Sequence, residues 1–247
     1  MSEKRETKKH QAARDFLDRG MSQLDIQRNA QAATRKRWKA DAGRLLDAHL
    51  LAFSTLVSIV TKKAGQPGRT SASLSGRMSL IASFIQGVDI CEVCVSEGLY
   101  FQAANLLKQE LETIAAIEEF KIGQRRENRT PNISRAGPGA GPLYSDLNAA
   151  AHVADQALLS RLITNIVSAE VIGASLVPMY NREASSHLYC LHVYLMVKCA
   201  IAAAETVKET HDEEMTDLER ELLNSAVEIL TASGWLVAPA LDVTAKS

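Results

Sequence analysis

The stretch NLLKQELET, residues 105–113, places an ammonium and two carboxylates on one predicted helix, spanning 99–122. At 100° per residue, Lys108 and Glu112 fall with Glu119 on its polar side. Glu110 falls instead among Ala103, Leu106, Ile114 and Ile117, on the apolar arc, where a carboxylate must find a partner. On the next predicted helix, 143–163, Tyr144, Asn148 and His152 stand at i, i+4 and i+8, so that a phenol, an amide and an imidazole share one seam. His152 could act as a general base or a ligand, but a lone histidine beside an apolar stripe reads first as a hydrogen-bonded core residue. A further polar line, His187, Tyr194, Lys198 and Glu205, keeps within about 20° of one direction along a long apolar helix. Such a line faces a cavity or water, and water is the simpler reading.

Two of these patterns occur together, Leu106-Leu107-Lys108-x3-Glu112 and Tyr144-x2-Leu147-x4-His152, and VPMYN at 177–181 precedes the long apolar helix. In these motifs the chain resembles an uncharacterised bacterial all-helical family, distantly similar to HEPN-type and abortive-infection proteins. The resemblance covers roughly residues 97–205. It implies a helical fold and points to Glu112, where helical geometry points to Glu110. Lys108 takes the family's arginine position, which loses a bidentate fork for anions.

HEPN ribonucleases use an Arg-x4-6-His spacing, and Arg182-x4-His187 fits it at a helix start. Arg5–His10 and Arg44–His49 fit it too, and about one match is expected by chance among these residue numbers. Nuclease chemistry would need His187 to move a proton and Arg182 to hold a phosphate. Cys91-x2-Cys94 would point to zinc if a second pair followed closely, but Cys190 and Cys199 lie nine apart on an apolar helix. All four read as core thiols. With no P-loop, GxGxxG, HExxH or GxSxG, neither a cofactor nor a metal is expected.

The elements that would hold these residues are helices. The chain is 46% hydrophobic but only 5% aromatic and rich in helix formers, with too few glycines and prolines to punctuate an all-β fold. Residues 3–18 read as a charged helix ending at Gly20, and Ser22 with Asp25 reads as a capping box opening a second. From Asp41 the stripe Leu45, Leu46, His49, Leu50, Phe53, Leu56, Val57 and Val60 marks the next helix, stopped at Gly65 and Pro67. Another carries Ile81, Phe84, Ile85, Val88, Cys91 and Val95 and breaks at Gly98. Residues 123–142 form a Gly/Pro/Arg-rich loop, long enough to be either functional or disordered. It is expected to be mobile and to be cut first by trypsin at Arg125, Arg126, Arg129 or Arg135. Residues 164–180 read as a hairpin-like connector, 181–210 as a central helix capped by Asn181, and 213–232 as a last helix.

Charge divides the chain. Residues 1–40 hold eleven Lys/Arg against five Asp/Glu, and the remainder seventeen against twenty-four. The expected architecture is therefore a basic helical arm, 1–40, on a single all-α bundle, 41–234, with a tail at 235–247. The arm suits an anionic partner such as RNA, or docks on its own acidic body. RKRWK at 35–39 is the densest part of it. The start carries no secretory h-region, and the longest apolar run is interrupted by His192 and Lys198. A cytoplasmic protein without a membrane span is expected, with reduced thiols. The function expected is a helical binding or regulatory protein, homo-oligomeric through an apolar helix face, in bacterial stress or phage defence. The alternative is a HEPN-like metal-independent ribonuclease.

Overall fold

The axis of the protein is a helix that is apolar on nearly every side. In the computed structural model, which describes residues 2–168 and 171–235, this is α7, Arg182–His211. The expected tail lies outside the described residues except for Trp235. Asn181 caps α7 by accepting from the Ala184 N–H at 2.9 Å, and Asp212 ends it in the left-handed region at φ 58°. Because α7 buries all round, it needs partners all round. They are α2 (Leu45–Thr61), α3 (Ala72–Ser96), α4 (Tyr100–Lys121) and α8 (Asp217–Ala232). Leu56, Ile59, Ile81, Leu107, Ile114, Leu191, Leu195 and Met196 are fully buried between them. Each contributes about 1.5–3 kcal/mol relative to exposure.

The protein is all-α, with eight α-helices among the described residues. The only strands described are β1 (Thr164–Ser168) and β2 (Val171–Ala174), an antiparallel hairpin inside the expected connector. The turn from α3 to α4 depends on Gly98. Its φ is +81°, and a Cβ there would stand 2.9 Å from the Met179 carbonyl oxygen.

Two expectations about helix ends are corrected. The first helix does not stop at Gly20. α1 runs unbroken from Ser2 to Ala42, and the Ser22–Asp25 capping box does not form. An internal glycine costs a helix only about 1 kcal/mol, less than ending the hydrogen-bond ladder. Asp25 pairs instead with Arg28 at 3.0 Å. α1 meets α2 at 92°, and its last turns dock on the body. Trp38 is buried edge-on against Tyr189 at 4.9 Å, and Arg35 reaches Glu92 and Glu97 at 3.0 and 3.4 Å. Lys36, Arg37 and Lys39 face solvent.

The expected helix 143–163 is two helices, α5 (Ala140–Ala151) and α6 (Gln156–Ile163). The chain turns at Val153 with φ 53°, and Asp155 caps α6 by accepting from the Leu158 N–H at 2.9 Å.

By length and composition, α3 and α7 could each cross a membrane. In α7 most of the apolar stretch, 72%, is buried inside the bundle, and α3 turns Ser79, Ser83, Gln86 and Asp89 outward.

Candidate functional site

The Gly/Pro/Arg-rich loop is organised by one buried carboxylate, and that organisation creates the largest cavity described. Glu119, in the last turns of α4, is 8% exposed. Its Oε1 accepts from the Asn132 backbone N–H at 2.7 Å, and its Oε2 from Arg125 at 3.2 Å. Arg125 also donates to the Arg129 carbonyl at 2.9 Å, and Arg135 to Gln124 at 2.7 Å. A 3-10 turn, Ile133–Ala136, follows, capped by Asn132. Among the described residues the loop is thus docked against α4 along its first half.

Around Glu119 the loop encloses an open cavity of about 630 Å³, lined by Arg125, Arg126, Arg129 and Arg135 with Thr130 and Asn132. Arg125 is neutralised by Glu119. Arg126, Arg129 and Arg135 have no carboxylate within salt-bridge distance among the described residues. Guanidinium groups around a polar bowl form a receptor for phosphate or carboxylate, since each offers planar, charge-assisted donors.

The residues that sequence reasoning singled out divide into separate places. Glu112 and Tyr144 meet: the Tyr144 hydroxyl donates to Glu112 Oε1 at 2.7 Å, and the Lys108 ammonium lies 5.4 Å over the Tyr144 ring. Desolvation, then the Glu112 carboxylate, push the Tyr144 phenol up to about 12. The triad ties α5 to α4, but Asn148 and His152 do not join it. His152 is corrected from a core residue to an exposed one, because α5 ends at Ala151 and the chain turns outward there.

Arg182 and His187 are both exposed, on different faces of α7. Arg182 stands 3.7 Å from Asp41, whereas His187 lies edge-on to Trp235 with ring centres 5.9 Å apart. Five residues of α-helix rotate them about 140° apart, and they line different cavities. The polar line on α7 is likewise shared out. Tyr194 packs on Trp235, Lys198 approaches Gly137, and Glu205 pairs with Lys121 at 2.7 Å.

Glu110 does find its buried partner. His192 Nδ1 lies 2.9 and 3.0 Å from the two oxygens of Glu110, across the α4–α7 interface. Sequence reasoning missed His192, which it used only as an interruption of an apolar run, and it read His49 as a stripe residue and as one of three Arg-x4-His matches. The usable signal was Glu110 itself, since a carboxylate on an apolar arc requires a donor on the facing helix. Around this pair, His49 stacks on Tyr189 at 5.6 Å and its ring lies 5.5 Å from that of His192. Burial, and then His192, hold His49 down to about 4. Cys91 borders Glu110, and its thiol is pushed well up by burial and by that carboxylate.

Compared with protein families, curated proteins and solved structures, the chain matches none.

Proposed function

We propose that the protein is a helical binding protein whose ligand is an anion carrying phosphate groups, held in the arginine-lined loop cavity. The single observation carrying this reading is the cluster of Arg126, Arg129 and Arg135 around a cavity of about 630 Å³, without carboxylates to neutralise them. Glu119 has the positioning role. Saturated by Asn132 and Arg125, it fixes the loop and leaves the other guanidiniums for the ligand. No histidine lines the cavity, so the arrangement suits holding phosphates rather than moving protons.

The arm offers a second basic surface through Lys36, Arg37 and Lys39, so the test compares the two. Binding of a labelled single-stranded RNA is followed by fluorescence anisotropy over a range of salt. Arg126→Ala with Arg129→Ala is expected to weaken binding and to flatten the log–log salt dependence by about 1.4, roughly 0.7 per lost phosphate contact on a single strand. Lys36→Ala, Arg37→Ala and Lys39→Ala together should change it less. The reverse ranking would move the site to the arm.

The ribonuclease reading has the exposure of Arg182 and His187 on its side and the separation of their faces against it. Purified protein is expected to leave the same RNA intact in chelator. Cleavage that disappears in both Arg182→Ala and His187→Ala would replace the binding reading.

A further inference from the structure

We infer that Cys91, Glu110 and His192 form a buried site for one zinc ion. The three side chains come from α3, α4 and α7, and their ligand atoms all lie within 4.8 Å of one another. Each is a recognised zinc donor type, and together they offer sulfur, oxygen and nitrogen around one point. Spacing along the chain could not show this, because the ligands lie on three helices and the Cys91-x2-Cys94 pair is not part of the set.

Charge favours a dication. A thiolate, a carboxylate and a neutral imidazole with Zn²⁺ sum to zero, which is the condition for burying such groups together. The soft thiolate selects zinc-class metals over Mg²⁺ and Ca²⁺. Without a metal the site is poorly satisfied. His192 Nδ1 hydrogen-bonds Glu110 Oε2 at 3.0 Å, while Glu110 Oε1 and His192 Nε2 are buried without a hydrogen-bond partner among the described residues. His192 is fully buried and Glu110 6% exposed. A small cavity of about 50 Å³ between α3 and α4 is lined by Ser83, Gly87, Gln109 and Glu110 beside this cluster. On binding, the Cys91 thiol releases its proton to water and its sulfur lone pair goes to the metal. Three protein ligands leave a fourth position for water.

The test uses the full chain, unfolded in denaturant with chelator and refolded with Zn²⁺ or Co²⁺. After gel filtration, atomic emission should find one zinc per chain in wild type and in Cys94→Ala. Cys91→Ala and Glu110→Gln should each lose the metal while circular dichroism keeps the helical signal. The cobalt form should show a thiolate-to-metal charge-transfer band that Cys91→Ala abolishes. Should Cys91→Ala fail to refold, Glu110→Gln, which preserves side-chain volume, carries the comparison. Wild type that refolds without metal, a cobalt form lacking the band, or zinc retained in a folded variant of either ligand overturns the inference. So does loss of zinc from Cys94→Ala.

Discussion

Glu110→Ala is expected to destabilise the fold by about 3–5 kcal/mol, because it strands His192 in a dry interface with neither of its nitrogens paired. Urea unfolding should show a fall in midpoint with the slope unchanged. The informative comparison is the double variant Glu110→Leu with His192→Leu. Replacing both members by apolar side chains removes the stranded partner, so most of the lost stability should return. The two single substitutions should therefore be strongly non-additive. A Glu110→Ala protein within about 1 kcal/mol of wild type would mean that water reaches the pair, contrary to its burial.

The second large effect is on acid stability. His49 ordinarily titrates near 6.5 and is held to about 4 in the folded state. Burial is the first cause and His192 the second. Glu92, on α3, is 3.8 Å from Nε2 and pulls the other way, but it is partly exposed and already engaged by Arg35 of α1. Burial wins. Between pH 6.5 and 4 the unfolded chain binds more protons at this residue than the folded one does. Stability therefore falls as pH drops through that window, by roughly 3 kcal/mol in all, and this contribution levels off below about 4. Above 6.5 the residue contributes no slope. His49→Gln should flatten the profile between pH 6.5 and 4. Glu219, whose carboxyl is held below its usual range by hydrogen bonds from Thr216 and Ser58 and by Lys62, keeps its own loss at lower pH. An unchanged slope between pH 6.5 and 4 in His49→Gln would show that the proton uptake lies elsewhere.

Much of the helical frame was legible because apolar periodicity and caps are local. Asn181 opens α7 where expected, and Gly98 separates α3 from α4. What failed was finer. Gly20 read as a stop because a glycine looks like punctuation, yet its cost is small beside that of an interrupted ladder. Val153 gave no local sign that it would take a positive φ and divide a helix in two.

The site residues follow the same division. Glu110 was legible as an anomaly, a charge on an apolar arc. His192 was not, because α7 is apolar all round and offers no arc against which a histidine stands out. Which side of α7 meets α4 is decided by packing, far along the chain. The arginine loop was legible as a composition and opaque as a shape, since its form depends on Glu119 of the preceding helix.

The uninterrupted α1 also has an electrical consequence. Forty-one residues of helix span about 60 Å at ~1.5 Å each, and residues 1–40 carry six more positive than negative side chains while the rest of the chain carries seven more negative. The backbone macrodipole adds to this, with its positive end at the N-terminal end of α1. The positive excess is thus carried on one long helix whose last turns meet the acidic body through Arg35. In the field of a polyanion the side of the molecule that carries α1 is the favoured side of approach.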